Sequence, residues 1–247
     1  MLSGADLYDA LYASGYHGLR NHTRAGEVLN FMSDTNRTTS LGVRSVLDLG
    51  CSHGFAVAAL WSMGYIASGV DISSIAVERA RQIREAPAGK CVQPCFAQGP
   101  ATLLPWRTNA FDAIVSSDVL EHVEAADVPA AIRELSRVAT RMLVLKIAKG
   151  ADFVDAKQVR LFQHEKERNR TVSGKSLFAS GDLPSNLHPT THGPDWWIER
   201  LRHEGGWREY SRLPTPHGRP WLCCTFVLRR DSPAPETQAE ARRLDVG

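Results

Sequence analysis

The sequence has no marked excess of charge of either sign and no long apolar run. Lys and Arg number 29 and Asp and Glu number 27, so the formal net charge is +2. Proteins that bind nucleic acid or an anionic membrane surface usually carry a larger basic excess. No stretch approaches the roughly 18 apolar residues that a membrane-spanning helix needs. These patterns therefore indicate neither a nucleic-acid partner nor a membrane partner, and they leave the oligomeric state open.

Cysteine is also scarce, with five residues in 247. So few cysteines, odd in number, do not suit a disulfide framework and favour a reducing compartment. The N-terminal residues lack the basic start and the apolar core of a secretory signal peptide, and we expect a cytoplasmic protein. The pairs Cys91/Cys95 and Cys223/Cys224 invite a zinc interpretation. Buried free thiols are the favoured interpretation, and no metal site is expected.

What the sequence does contain is the alternation of an α/β fold. Apolar residues make up 43% of the chain, as in ordinary globular proteins. From residue 43 to residue 150, short apolar runs alternate with helical patterns, which favours a parallel sheet built from right-handed βαβ units. Strands are predicted at 43–49, 65–70, 91–97, 111–116, 142–148, 207–213 and 221–228, and helices at 55–63, 128–139 and 195–203, with one more that begins at Ser73 or Ser74.

The same pattern predicts where the chain divides. Residues 1–42 are interpreted as an N-terminal helical lid that ends in a polar linker at 33–42. Residues 43–230 form the main domain, and about 150–194 are an insertion without clear periodicity. Residues 231–247 are rich in Pro, Ala, Glu and Arg and are predicted to be a disordered tail.

The turn after the first strand carries the main functional signal. The stretch from Val46 to Phe55 has a strand, then Gly50-x-x-x-Gly54, then a helix. Such a turn brings backbone N–H groups close to a ligand. Asp71 follows at the end of the next predicted strand, where a carboxylate can accept hydrogen bonds from both hydroxyls of a ribose. Together they predict a nucleoside site at the carboxyl edge of a parallel sheet.

The residue in the middle of this turn discriminates between nucleotides. Dinucleotide sites have a second glycine two positions after the first, so that the backbone can approach the pyrophosphate. Ser52 stands at that position here. A nucleoside without phosphate does not need the close approach, so the turn favours S-adenosylmethionine. A nicotinamide-dependent oxidoreductase is the less favoured alternative.

Four motifs in register resemble the class I S-adenosylmethionine-dependent methyltransferases of the small-molecule type (methyltransferase domain 11 or 23). The resemblance extends over about residues 43–150 and, more loosely, to 230. It implies a doubly wound, mostly parallel, seven-stranded Rossmann-like sheet with an N-terminal helical lid. It also implies S-adenosylmethionine as the methyl donor and S-adenosylhomocysteine as the product. The motifs are Val46–Gly54, Val70–Ser73, Gly99–Trp106 and Phe111–Val123.

The resemblance also implies roles for the residues at matching positions. Gly50 and Gly54 would shape the loop under the methionine portion, and Asp48 would bond indirectly to its amino group. Asp71 would hold the ribose, and Ile72 would pack against the adenine. The other implied cofactor contacts are Cys51 and Ser52 in the loop, Pro100 and Ala101 near the adenine, Ser117 and Asp118 after the fourth strand, and Tyr16 and Arg20 in the lid, which also carries Tyr8 and Tyr12.

One position departs from the family pattern. Relatives have Gly-Asp-Ala before a Leu-Pro pair, and the acid meets the adenine amino group, whereas Gly99-Pro100-Ala101 stands here. Proline supplies neither a carboxylate nor an N–H, so adenine recognition is expected to rely on the Ala101 backbone and on apolar packing. Pro100 is also the only hint of an alternative, a catalytically silent subunit that regulates a partner enzyme.

The implied activity is methyl transfer to a small-molecule O- or N-nucleophile. Relatives that methylate nucleobase amines or glutamine amides carry Asn/Asp-Pro-Pro-Tyr after the fourth strand, and Ser116–Val119 do not match it. A nucleophile that still carries a proton needs a base. The candidate catalytic residues are His188 and His192 beyond the fifth strand and His122 after the fourth. A purely structural role for these histidines is the alternative.

Overall fold

The apolar runs of the sequence form the strands of one seven-stranded sheet, which helices cover on both faces. The structure is a computed structural model that describes residues 4–14, 21–83, 86–150, 163–164, 171–172, 175–176, 184, 186–213 and 224–230. The helices are α1 (Gly4–Ala13), α2 (Asn21–Thr39), α3 (Phe55–Ser62), α4 (Ser74–Ile83), α5 (Val128–Val138) and α6 (Pro194–Gly205). The strands are β1 (Ser45–Leu49), β2 (Ile66–Asp71), β3 (Phe96–Gln98), β4 (Phe111–Ser117), β5 (Ala139–Ile147), β8 (Arg208–Leu213) and β9 (Cys224–Arg229), with β6 (Thr171–Val172) and β7 (Lys175–Ser176) in a separate hairpin.

The strand order in the large sheet is β3-β2-β1-β4-β5-β9-β8. β9 is antiparallel to both of its neighbours, and the other pairings are parallel. From β1 the chain builds outward through β2 to β3, and it then crosses back to β4 on the other side of β1. Sheets of this kind bind ligands at the carboxyl ends of the strands where the order reverses. The doubly wound, mostly parallel sheet expected from the sequence is confirmed.

Alternate residues of the central strands β1, β4 and β5 face opposite layers of helices, which is why these strands are mostly buried and apolar. In β1, Leu47 belongs to a cluster that includes Ile132 of α5 and Leu201 of α6. Its neighbour Val46 belongs to a second cluster that includes Met32 of α2. The sheet therefore has a core on each face. Among the described residues, no helix has the length and apolarity needed to cross a membrane.

Helix α2 corrects one expectation. Residues 33–42 resemble a polar linker in the sequence, but α2 continues through most of them. One side of the helix is buried, as at Met32, while polar residues occupy its other side, so a polar sequence is compatible with a helix. Asn36 then fixes the exit from the helix, because its amide bonds both the N–H (2.9 Å) and the C=O (3.2 Å) of Val43.

The cysteines also depart from expectation. Cys91 and Cys95 form a disulfide in the turn before β3, where the two Cα atoms lie 5.2 Å apart, within the range that a disulfide can bridge. The expected free thiols at these positions are therefore wrong. Cys224 is a buried free thiol, as predicted, and Cys51 is a second one. Four strands separate β3 from β9, so Cys224 lies far from the Cys91–Cys95 pair. Cys223 lies outside the described residues.

One buried carboxylate adds hydrogen bonds to the apolar packing that attaches helix α1 to the domain. Asp9 is buried and accepts hydrogen bonds from the hydroxyls of Ser73 (2.5 Å) and Ser74 (2.7 Å) and from the N–H of Ile75 (3.2 Å). These donors form the first turn of α4, where a negative charge is favourable. Ser73 also caps α4 by accepting from the N–H of Ala76 (3.2 Å). The predicted lid, tail and insertion boundaries stay predictions, because the tail and most of the insertion lie outside the described residues.

Replacing Asp9 by Ala is expected to lower the free energy of unfolding by about 1–3 kcal/mol, because three donors lose a charged acceptor. Asp6→Ala is the matched control, since Asp6 is an exposed acid on the same helix. Urea unfolding of both variants measures the difference. Equal stabilities for Asp9→Ala and Asp6→Ala would show that the carboxylate does not anchor α1.

Candidate active site

A cleft lies at the carboxyl ends of β1, β2 and β4, where the strand order reverses. Gly54 and Pro100, both predicted to contact the cofactor, are not among the residues that line it. Tyr16 and Arg20 lie outside the described residues. The structure brings nine other predicted cofactor residues together in the cleft wall: Asp48, Gly50, Cys51, Ser52, Asp71, Ile72, Ala101, Ser117 and Asp118.

Two glycines shape the turn between β1 and α3. Gly50 and Gly54 have φ angles of 73° and 77°, in the left-handed region that favours glycine. A Cβ at Gly50 would overlap the side chain of Val119, and a Cβ at Gly54 would meet the Phe96 ring at 2.9 Å. The N–H of Gly50 donates to the carbonyl of Val70 (2.8 Å), which ties the turn to β2. Gly54 thus supports the turn through packing behind it, whereas Gly50 faces the cleft.

Asp71 stands at the end of β2 and joins the turn to α4. One carboxylate oxygen accepts the N–H of Ser52 (2.8 Å), and the other accepts the N–H of Ser73 (3.0 Å). Each oxygen keeps a further lone pair for a ligand hydroxyl. Burial raises the pKa of Asp71 to about 6, although the backbone hydrogen bonds act in the opposite direction. The position matches the one predicted for a ribose-binding acid.

Asp48 is a second buried acid in the same cleft. Its side chain is 6% exposed, and burial, together with the charge of Asp71, raises its pKa to about 8. Two acids in one cleft disfavour each other's ionised form. A cationic ligand would stabilise both carboxylates, and an anionic one would be repelled. The cleft is therefore electrostatically suited to a positively charged nucleoside.

Two residues of the cleft wall have unusual backbone conformations. Ser52 and Asp118 have φ angles of 50° and 58°, which are uncommon outside glycine and cluster at functional sites. At Asp118 the conformation is held by a bond from its N–H to the carbonyl of Lys146 (2.9 Å). The hydroxyl of Ser117 donates to the Asp118 carboxylate (3.1 Å). The end of β4 thus presents polar atoms next to the glycine turn.

The wall beyond β2 and β3 is apolar. Ile72, Gly99 and Ala101 line the cleft there, beside the Asp71 carboxylate. Pro100 is exposed, and its carbonyl accepts the N–H of Leu103 (3.1 Å) within a tight turn. That turn directs Pro100 away from the cleft and leaves the backbone and methyl group of Ala101 facing it.

Helix α1 contributes Tyr8 and Tyr12 to the cleft, although the sequence indicated only that they belong to the lid. Tyr8 and Tyr12 line the cleft, and their spacing of four residues, which puts them on one helix face, is the signal that identifies them. Burial and the charge of Asp71 raise the pKa of Tyr12 well above its ordinary value, so its phenol stays neutral. The anchoring of α1 by Asp9 holds both rings at the cleft.

The three candidate histidines occupy different positions. His122 lines the cleft. His188 packs edge-on against it, with ring centroids 4.5 Å apart, and does not itself line the cleft. His192 stacks on Trp196 with centroids 3.9 Å apart, on an exposed segment away from the lining residues. The structure therefore brings two of the three together and separates the third.

Part of the sequence matches a known protein family. Residues 47–141 match the profile of the family described as Methyltransferase domain. Among the curated proteins, none matches the chain significantly.

Solved structures share the fold at low sequence identity. The magnesium protoporphyrin IX methyltransferase of Synechocystis, crystallised with S-adenosylhomocysteine, is 20% identical with a TM-score of 0.55, covering 84% of this chain and 83% of its own. The 1,6-didemethyltoxoflavin-N1-methyltransferase of Burkholderia thailandensis is 14% identical with a TM-score of 0.58, covering 93% and 92%. A chain from the Haloferax volcanii complex of the Trm112 methyltransferase activator with a methyltransferase is 16% identical with a TM-score of 0.59, covering 96% and 100%. Residues 47–141 therefore match the methyltransferase domain model, and the chain shares its fold with these solved methyltransferases.

Proposed function

We propose that this chain transfers the methyl group of S-adenosylmethionine to a small-molecule O- or N-nucleophile. The observation that carries the proposal is the pair of buried acids, Asp48 and Asp71, beside the glycine turn. S-adenosylmethionine brings a sulfonium and an ammonium group to such a cleft, whereas a nicotinamide dinucleotide brings a negatively charged pyrophosphate. The electrostatics of the cleft favour the first ligand and disfavour the second.

The residues of the cleft fit the parts of that cofactor. Asp71 has lone pairs for the ribose hydroxyls, and the apolar wall that contains Ile72 and Ala101 suits an adenine ring. The absence of a side chain at Gly50 lets the turn pack against Val119, and Asp48 stabilises a nearby cation. When bound, S-adenosylmethionine supplies an activated methyl group on sulfur.

The chain's own contribution is to position the reactants and to exclude water. Tyr8 and Tyr12 form part of the cleft wall from α1, so the N-terminal helix helps to enclose the reaction. Holding the acceptor in line with the methyl group is the main source of rate acceleration in such a transfer. The acceptor would lie against the wall after β4, where Ser117 and His122 meet the cleft.

The acceptor is proposed to be a small molecule. Two structural relatives are named as methyltransferases of magnesium protoporphyrin IX and of 1,6-didemethyltoxoflavin, which are small molecules. A second candidate function is one that requires a partner protein, because a third relative comes from a complex between the Trm112 methyltransferase activator and a methyltransferase. The departure at Pro100 is compatible with that candidate. Turnover separates the two.

Replacing Asp71 by Ala is expected to weaken S-adenosylhomocysteine binding by about 1–3 kcal/mol, because the ribose hydroxyls lose a charged acceptor. Asp195→Ala is the matched control, since the Asp195 side chain is 92% exposed on α6. Isothermal titration calorimetry measures both affinities, and circular dichroism confirms that the variants are folded. Binding of NADH in place of S-adenosylhomocysteine, or an unchanged dissociation constant for Asp71→Ala, would refute the proposed site.

The pH dependence of stability provides a second test. Burial raises the pKa of Asp48 from the ordinary 3.8 of a free carboxyl to about 8 in the folded chain. The folded state therefore keeps a proton that the unfolded chain loses, and the free energy of unfolding falls as pH rises from about 4 to about 8. Asp48→Asn is expected to flatten this decline, whereas Asp195→Asn leaves it unchanged. Urea unfolding at several pH values measures the decline. If the free energy of unfolding of Asp48→Asn falls with pH as steeply as that of the wild type, the raised pKa does not belong to Asp48.

Turnover distinguishes an enzyme from a silent subunit. Incubation with S-adenosylmethionine and a panel of phenols, alcohols and N-heterocycles is expected to produce S-adenosylhomocysteine and a methylated product with at least one acceptor. Mass spectrometry detects both, and the Asp71→Ala variant is the negative control. Binding of S-adenosylhomocysteine without turnover on any acceptor would favour the partner-dependent function.

A further inference from the structure

Three potential metal ligands converge beside the cleft. Glu121 and His122 lie in the 3₁₀ turn Leu120–His122 after β4, and His188 lies in the segment that packs on this turn. One ligand atom from each lies within 4.8 Å of those of the other two. Glu121 is fully buried, and His188 is 8% exposed. We propose that these three residues bind a divalent transition-metal ion that holds a hydroxyl oxygen of the methyl acceptor.

The hydrogen bonds of the two histidines engage Nδ1 of each ring and leave Nε2 available to bind an ion. Nδ1 of His122 lies 2.8 Å from the carbonyl oxygen of Leu187, and Nδ1 of His188 lies 2.6 Å from that of Gly150. A carbonyl oxygen only accepts, so each Nδ1 carries the hydrogen, and in the neutral ring Nε2 presents a lone pair. Histidine ligands usually have this arrangement, with the second nitrogen donating to a carbonyl or carboxylate.

The carboxylate of Glu121 is held in a comparable way. One oxygen accepts the N–H of Ala148 (3.0 Å) at the end of β5. Transfer of a carboxylate into the protein interior is costly unless hydrogen bonds or a cation offset the lost hydration. A divalent ion between Glu121 and the two imidazoles would supply a compensating charge where the side chain is completely removed from solvent.

The segment around His188 is held in place by residues other than the three potential ligands. Thr190 forms two hydrogen bonds for that purpose, from its N–H to the carbonyl of Glu121 (3.2 Å) and from its hydroxyl to the carbonyl of Val123 (2.6 Å). Asn186 positions the backbone of His188 through bonds to its N–H (3.0 Å) and C=O (2.9 Å). The convergence of the ligand atoms is a separate feature, and it is the one that metal binding explains.

The donor set indicates the type of metal and of acceptor. Two imidazole nitrogens and one carboxylate oxygen suit Zn²⁺ and its neighbours in the first transition row, rather than Mg²⁺ or Ca²⁺. Three protein ligands leave a coordination position open, as in catalytic zinc sites. Because His122 lines the cleft, this position is available to an acceptor there. Binding to a metal lowers the pKa of a hydroxyl group.

This inference rests on the proposed methyl transfer and narrows its acceptor to an alcohol or a phenol. In the transfer, the hydroxyl proton leaves to water, and the acceptor oxygen forms a bond to the methyl carbon. The carbon–sulfur bond breaks, and its electron pair remains on sulfur as the thioether. No separate general base is needed in this scheme, and His122 and His188 then serve as ligands.

Titration of the chelator-treated, full-length protein with Zn²⁺ tests the site. We expect one equivalent to bind, and we expect His188→Ala and Glu121→Gln to weaken binding by at least about 10–100-fold, the loss caused by removing even an outer partner of a metal ligand. His203→Ala is the matched control, because the His203 side chain is 77% exposed on α6, and it should bind as the wild type does. Melting curves identify any variant that fails to fold.

A second measurement needs no variant. Co²⁺ added to the wild-type protein is expected to give the visible absorption of a tetrahedral site with nitrogen and oxygen ligands, and an equivalent of Zn²⁺ should abolish it. Absence of this absorption, or equal Zn²⁺ affinity in His188→Ala and His203→Ala, overturns the metal site. S-adenosylhomocysteine binding is measured in parallel with excess chelator. If S-adenosylhomocysteine binds but Zn²⁺ does not, only the metal site has failed. If S-adenosylhomocysteine does not bind even to the protein incubated with Zn²⁺, the proposed methyl transfer has failed.

Discussion

The Asp71 carboxylate is the interaction on which the rest of the site depends. Its two oxygens accept the N–H groups of Ser52 and Ser73, so one side chain joins the glycine turn, the end of β2 and the start of α4. Ser73 in turn donates to Asp9 on α1. A single chain of hydrogen bonds therefore leads from the proposed cofactor turn to the N-terminal helix that helps to cover it.

The charge of the same carboxylate also affects the pKa values of neighbouring groups in the cleft. Burial is the main cause of the raised pKa values of Asp48, Cys51 and Tyr12, and the charge of Asp71 adds to each of them. Each of these four groups is more readily neutral in the cleft than in water, and a cation would oppose this effect for the two acids. The preference for a positively charged ligand thus comes from the collective arrangement of these groups and not from one contact.

Local patterns in the sequence were sufficient to predict the fold and most of the named residues that meet at the cleft. Gly50 and Asp71 could be placed because both stand directly after short buried strands, whose carboxyl ends must share one edge of a parallel sheet. The extent of α2 was missed, because its many polar residues outweigh the buried side that includes Met32. The Cys91–Cys95 disulfide depends on the path of a turn, which composition does not report. Glu121 and His188 are separated by more than sixty residues, and only the packing of the His188 segment on the 3₁₀ turn brings them together.

The packing of Val119 against Gly50 joins two regions with different tasks. Val119 fills the space that a side chain at position 50 would need, and it lies two residues before Glu121 in the chain. The floor of the proposed donor pocket is therefore also the support for the acceptor wall. A bulkier residue in the glycine turn would displace that wall as well, so a change made to alter nucleoside recognition would also alter the choice of acceptor. Nucleoside recognition and acceptor choice therefore depend on the same contact between Gly50 and Val119.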